Sequence, residues 1–72
     1  MSPPGRDVEI RGDRIRLGQL LKLSGVAGTG GEARELVQEG EVRVNGEVEL
    51  RRGRQLHRGD VVEAGAEAIR IV

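Results

Sequence analysis

The sequence predicts a small α+β domain in which two short packed helices lie against a small, mainly antiparallel sheet, in the order strand, helix, helix, strands. Residues 16–25 and 29–40 repeat aliphatic side chains at the three- and four-residue spacing of amphipathic helices. After Gly40 the spacing changes to the alternation of a half-buried strand, and Asn45 and Gly46 form a strong hairpin signal. The change of period separates a helical half from a strand-rich half.

Length and composition limit the protein to one small domain. The chain has 72 residues, one histidine, no cysteine and no aromatic residue. Residues 1–5, MSPPG, are predicted to be a disordered tail, and residues 6–72 a single domain. With one histidine and no thiolate we expect no metal and no cofactor.

The sequence has neither a signal-peptide pattern nor an apolar run long enough to span a membrane, so we expect a cytoplasmic protein without a membrane partner. The expected oligomeric state is a monomer.

The first strand and the first helix follow from hydrophobic spacing. Val8 and Ile10 alternate with charged neighbours before a Gly-Asp turn, which predicts a short strand. In RLGQLLKLSG, Leu17, Leu20 and Leu21 share one helical stripe. Gly25 is a suitable end for this helix, because glycine readily adopts the left-handed conformation that terminates helices.

The second helix is predicted to begin with a capping box. In TGGE, Thr29 is the predicted cap and the Glu32 side chain is predicted to reach back to it. The preceding glycines suggest a phosphate loop, but the sequence lacks both a Gly-Lys-Ser/Thr ending and the glycine spacing of a dinucleotide loop. We therefore favour a structural cap, although free amides at a helix start can still accept a backbone phosphate.

The hairpin after the second helix has two possible registers. A two-residue turn would place Val42 opposite Glu49, whereas a three-residue loop over residues 44–46 would place Val42 opposite Val48. We predict the three-residue loop, because it gives one apolar face and one charged face. Two further strands are predicted in VVEAG and AIRIV near the end of the chain.

Charge is balanced overall but not locally. Lysine plus arginine and aspartate plus glutamate both number 12, so the formal net charge is zero. Residues 51–58, RRGRQLHR, nevertheless contain four arginines and no acid. A genome preference for arginine codons would explain the excess of arginine over lysine but not this clustering. The guanidinium fork suits phosphate and base edges, so the segment is a candidate for nucleic-acid contact.

Three stretches together resemble a known family. RLGQLLKLSG, TGGEARELVQEGEVRVNGEVE and LHRGDVVEAG resemble the RNA-binding domain named after small-subunit ribosomal protein S-four, also called the alpha-L motif. The resemblance covers residues 16–65, and EGEVRVNG followed by RGD is its most specific part. The family domain occurs in ribosomal proteins, pseudouridine synthases, a tRNA synthetase and a heat-shock ribosome-associated factor. This chain is similar to a stand-alone bacterial member, with Thr29-Gly30 where many relatives carry Ser-Arg.

The resemblance implies that the two helices and the hairpin form an L-shaped surface for structured RNA. The contacts that it implies are Arg16, Lys22, Thr29, Arg34, Arg43 and Asn45. Clustering in the basic segment adds Arg51, Arg52 and Arg54. Without aromatic side chains the usual stacking platforms for unpaired bases are absent, which favours folded or double-stranded RNA.

We therefore predict non-enzymatic binding of ribosomal RNA, transfer RNA or another folded RNA through a local arginine-rich patch. The ribosome or a ribosomal precursor is a further candidate partner, and no small-molecule substrate is expected. His57 has no second histidine or nucleophile pattern nearby in sequence, so we find no catalytic constellation. The alternative is a small adaptor that docks a partner protein through its sheet or through an acidic helix face formed by Glu32, Glu35, Glu39 and Glu41.

Overall fold

Two helices and seven short strands follow one another in residues 5–72, the part of the chain that the computed structural model describes. Their bounds are β1 Gly5–Val8, β2 Arg14–Arg16, α1 Leu17–Leu23, α2 Gly30–Gln38, β3 Val42–Val44, β4 Glu47–Val48, β5 Gln55–His57, β6 Val61–Ala64 and β7 Glu67–Ile71. The predicted α+β class is confirmed. Of the predicted tail, residues 1–4 lie outside the described residues, and Gly5 is the first residue of β1.

The strands form two sheets. The larger has the order β1-β7-β6-β3-β4 and is antiparallel except for the parallel pair of β1 with β7. The smaller sheet is the antiparallel pair of β2 with β5. The two strands predicted near the end of the chain are β6 and β7, so the mainly antiparallel sheet was predicted correctly.

The core lies between the helices and one face of the larger sheet. Its fully buried large side chains are Leu17, Leu20, Leu21, Val37, Val42, Val44, Leu56, Val62, Ile69 and Ile71. The leucine stripe predicted for the first helix is therefore the face of α1 that packs into the core. The residue after α1, Ser24, accepts a hydrogen bond on its carbonyl oxygen from the Arg6 guanidinium of β1, which ties the end of the helix to the sheet edge.

The start of α2 and the ends of both helices follow from local chemistry. The backbone N–H of Glu32 donates to Thr29 Oγ1 at 3.1 Å, so Thr29 caps α2. The Glu32 carboxylate reaches back as expected but accepts from the N–H of Gly28, at 2.9 Å, instead of that of Thr29. Gly25 and Gly40, with φ of +80° and +74°, follow the two helices in the left-handed conformation that usually terminates them.

The predicted hairpin register is wrong. Arg43 lies opposite Val48, and the connection is a two-residue turn in which Asn45 and Gly46 have φ of 51° and 88°. Positive φ at both central residues is the signature of a type I′ turn. In this register Val42 faces Glu49, whose N–H donates to the Val42 carbonyl at 2.9 Å.

The prediction failed because it treated Glu49 as a residue that must face solvent. Its side chain is only 8% exposed, since Arg51 and Arg54 form ion pairs with the carboxylate at 3.2 and 3.0 Å. Val48, which the predicted register would have buried, is 50% exposed. A buried charge is tolerated when it is paired and hydrogen-bonded, so the alternation of apolar residues misled the register.

The smaller sheet was not predicted. Residues 51–58 were interpreted as a turn-rich basic segment, yet residues 55–57 form β5, in which Leu56 is fully buried and lies opposite Ile15. The two paired strands are about 40 residues apart in sequence. Pairing at this separation depends on the packing of the rest of the chain, so no local signal predicts it.

The turn predicts a specific sensitivity at Gly46. We expect Gly46→Val to lower the free energy of unfolding by about 1–2 kcal/mol, because a branched side chain is strained at positive φ. Gly46→Asn should cost less, since asparagine tolerates this conformation. Urea denaturation measures both changes, with Gly53→Ala as the control, because no heavy atom lies within 4 Å of a Cβ placed at Gly53. If Gly46→Val unfolds at the urea concentration of the parent, position 46 does not hold a left-handed turn.

Candidate nucleic-acid interface

A groove of about 290 Å³ lies between the start of α1, the start of α2 and the β4–β5 loop, which comprises residues 49–54. Three cationic side chains line it, Arg16, Lys22 and Arg52, together with small residues that include Gly18 and Gly30. Gly30 is exposed, whereas Gly18 is buried. The groove therefore combines positive charge with an exposed helix start at Gly30.

Two neighbouring grooves extend this surface. One, of about 320 Å³, is lined by Arg34 and Arg52, and the other, of about 250 Å³, by Arg14 and Arg16. Arg52 and Arg16 each belong to two grooves, so the three form one continuous surface. We call its five cations, Arg14, Arg16, Lys22, Arg34 and Arg52, the basic face.

The positive charge of the basic face is not neutralised by carboxylates among the residues that line the grooves. No aspartate or glutamate is among the residues that line the three grooves. Within residues 5–72, none of the five cations forms a salt bridge, although Arg14 donates to Gln55 Oε1 at 3.4 Å. In a protein of zero formal net charge, this surface has locally positive potential that attracts anions.

Backbone hydrogen bonds fix the β4–β5 loop against α1. The N–H groups of Leu17 and Gly18, which have no partner within the helix, donate to the carbonyls of Arg54 and Arg52 at 2.8 and 2.9 Å. The missing side chain of Gly18 permits this approach, since a Cβ there would lie 2.6 Å from Arg52 Cγ. The loop therefore caps the helix, and the stem of Arg52 lies against it.

A buried carboxylate, that of Glu49, also holds the β4–β5 loop in place. Hydrogen bonds from Arg51 and then Arg54 lower the pKa of Glu49 from its ordinary value of 4.5 to about 2. The Glu49 carboxyl therefore stays charged down to strongly acidic pH, and its stabilising effect is lost only as the pH falls from about 4.5 towards 2. The Arg51 side chain is still 76% exposed.

The nine residues predicted from sequence do not lie in one place. Arg16, Lys22, Arg34 and Arg52 belong to the basic face. Sequence reasoning missed Arg14, the fifth member. The available signal was the Arg-Ile-Arg alternation of residues 14–16, which places both arginines on the same side of a strand.

The remaining predicted residues have other surroundings. The Thr29 hydroxyl caps α2, and Arg51 and Arg54 hold Glu49. Asn45 is tied to β6, since its side-chain oxygen accepts from the N–H of Val61 at 2.9 Å.

Arg43 lies on the side of the larger sheet that faces away from the helices. Its neighbours Val42 and Val44 point into the core, and the register places it opposite Glu63 of β6. Arg43 therefore stands apart from the grooves, beside a carboxylate of the next strand. A contact between RNA and Arg43, Asn45, Thr29, Arg51 or Arg54 stays a prediction.

Two features, a membrane-spanning helix and a metal-binding group of side chains, are absent from residues 5–72. None of the helices in this range is long and apolar enough to cross a membrane. The same residues contain no group of three or more histidine, aspartate or glutamate side chains arranged to hold a metal ion. His57 is exposed, and its backbone N–H donates to the Asp60 carboxylate at 2.8 Å.

The fold and its surface define a small α+β domain with two helices, a mixed larger sheet and a basic face whose cations form no salt bridge within residues 5–72. The chain belongs to the S4 domain family, whose family model matches residues 8–72. The resemblance seen in the sequence is thereby confirmed.

Two relatives are similar over most of this chain. One is a "Probable ribosome maturation protein RlbA" of Bacillus subtilis (strain 168), which is 50% identical over 56 residues, covering 78% of this chain and 79% of that protein. The other is the crystal structure of the 30S ribosomal protein S4e from Thermoplasma acidophilum, with a TM-score of 0.66 and 24% identity. That match covers 86% of this chain but 33% of the ribosomal protein, and it supports the fold alone.

Proposed function

We propose that this protein binds structured RNA through its basic face and serves ribosome maturation without enzymatic activity. The observation that carries the proposal is the set of five cations that line adjoining grooves with no acid among the lining residues. Cations that form no salt bridge release counterions when they bind phosphates, which favours association with a polyanion. An arginine that is already ion-paired would first have to break that pair, which offsets part of the free energy gained from the phosphate contact.

The side-chain composition of the protein favours folded RNA over single strands. With no aromatic residue in the chain, the protein lacks the rings on which unpaired bases stack. Helical RNA is recognised through phosphates, sugars and geometry, for which arginine forks and exposed backbone amides suffice. The first groove provides both, since Gly30 at the start of α2 lines it beside Arg16 and Arg52.

Similarity supports the biological context. The Bacillus subtilis relative is named for ribosome maturation, and its sequence is 50% identical to this chain over 56 residues, which is most of both proteins. The RNA partner that we propose is therefore ribosomal RNA or a ribosomal precursor. Residues 6–72 would act as one domain, as a monomer, in the cytoplasm. We propose no cofactor and no small-molecule substrate.

The salt dependence of RNA binding tests this function. We expect the protein to bind a folded ribosomal RNA hairpin with a log-log salt slope of about −3.5 to −4.5, which corresponds to roughly 0.7 to 0.9 for each of five phosphate contacts. Fluorescence anisotropy of labelled RNA at several salt concentrations gives the slope. The matched control is an unstructured RNA of the same length and base composition, which should bind more weakly.

The partner itself is identified by crosslinking in cells followed by sequencing of the attached RNA. Ribosomal RNA or its precursors should be enriched. Absence of binding to folded RNA, or a slope near zero, would contradict the proposal and favour the alternative of a protein-docking adaptor.

A further inference from the structure

The buried carboxylate of Glu49 holds the loop that carries Arg52, through hydrogen bonds from Arg51 and Arg54. Glu49 Oε2 accepts from the backbone N–H and from Nε of Arg51, at 3.0 and 3.2 Å. Glu49 Oε1 accepts from Arg51 Nη2 at 3.3 Å and from Arg54 Nη1 at 3.0 Å. Four donors from two arginines therefore converge on a single carboxylate.

Those two arginines flank Arg52 in the chain. The N–H of Arg54 also donates to the carbonyl of Arg51 at 3.2 Å, which closes the loop into a turn. The loop is also held by α1, because the carbonyls of Arg52 and Arg54 accept from the N–H groups of Gly18 and Leu17. The Arg52 side chain makes no salt bridge within residues 5–72 and lines two of the three grooves.

We propose that Glu49 is a positioning residue for RNA binding: by holding Arg51 and Arg54 it fixes the β4–β5 loop so that Arg52 is presented to phosphate. This inference rests on the proposed RNA-binding function. A carboxylate near a basic face repels RNA by Coulomb's law, yet this one increases affinity because it lowers the conformational entropy that Arg52 loses on binding.

The isosteric variant Glu49→Gln separates the two effects. Glutamine offers one acceptor oxygen, and its NH₂ group would face guanidinium donors, so the loop loses part of its anchor. We expect folded RNA to bind roughly three- to tenfold more weakly to this variant at low salt, although the protein has lost a negative charge. The matched control is Glu47→Gln in the same hairpin, an exposed carboxylate that forms no salt bridge within the described residues. Its affinity should be unchanged or slightly higher.

A double-mutant cycle with Arg52→Ala identifies the route of the effect. If Glu49 acts through Arg52, then Glu49→Gln should cause no further loss of affinity in the Arg52→Ala background. An equal loss in both backgrounds would mean that Glu49 contributes only to general stability. Tighter binding by Glu49→Gln would mean that charge repulsion dominates. Either result overturns the inference.

Amide hydrogen exchange tests the position of the loop without RNA. In Glu49→Gln, the amides of Leu17 and Gly18 should exchange faster, because their acceptors belong to the loosened loop. The amide of Glu39, the residue that follows α2 and donates to the Glu35 carbonyl, serves as the internal control. Unchanged exchange at Leu17 and Gly18 overturns the role of Glu49 whatever the RNA result. Failure of the parent protein to bind folded RNA overturns the proposed function instead.

Discussion

Replacing Arg16, Lys22 and Arg52 together with alanine is expected to weaken binding of folded RNA roughly 100-fold, at about 1 kcal/mol for each lost contact. These three cations surround the first groove and come from the start of α1, its last turn and the β4–β5 loop. If all three contact phosphates, the salt slope should fall in magnitude by about 2 to 3 units. Anisotropy titrations at several salt concentrations measure both quantities.

The control for this variant removes the same amount of charge elsewhere. Arg11, Arg58 and Arg70 are exposed and line none of the three grooves. Their joint replacement with alanine should reduce affinity only through the weaker long-range attraction of a more negative protein. Both triple variants should remain folded, because exposed charges contribute little to stability. Equal affinity losses for the two variants would show that RNA responds to net charge and does not dock in the grooves.

Where the sequence predicted local structure, short-range chemistry was sufficient. The Thr29 hydroxyl, the glycines after each helix and the leucine stripe of α1 act within one or two helical turns. Their effects depend little on the rest of the chain. The class of the fold and the order of its elements followed from these signals together with the change of period after Gly40.

The hairpin register and the smaller sheet could not be predicted in the same way. The register depends on a carboxylate that is buried because two arginines after it in the chain turn back to bind it. The smaller sheet depends on contacts between segments that are distant in sequence. In both cases tertiary interactions overrode the local pattern of apolar and polar residues.

The candidate site was partly predicted, because charge clustering in sequence is only an indirect sign of clustering in space. Within the arginine-rich segment, Arg51 and Arg54 are bound to Glu49 and only Arg52 lines the grooves. An alanine substitution of all three would therefore also unpair a buried carboxylate and destabilise the protein. The triple variant of the basic face avoids that complication.

Gly18→Val is expected to lower both stability and RNA affinity, because Gly18 is the contact point between α1 and the β4–β5 loop. A Cβ at this position would lie 2.6 Å from Arg52 Cγ and 3.6 Å from the Arg52 carbonyl oxygen, so the Arg52 side chain or the loop that carries it must move. Overpacking of this kind costs about 1–3 kcal/mol. Either displacement would move the Arg52 side chain away from the groove, and a shift of the loop would also weaken the hydrogen bond of 2.9 Å from the Gly18 N–H. Gly31→Val is the matched control, since Gly31 lines none of the three grooves and a Cβ there would make only an ordinary contact, 3.7 Å from Thr29 Oγ1. Thermal unfolding and RNA anisotropy measure the two effects, and a Gly18→Val protein that melts and binds like the parent would show that the loop does not need this close approach.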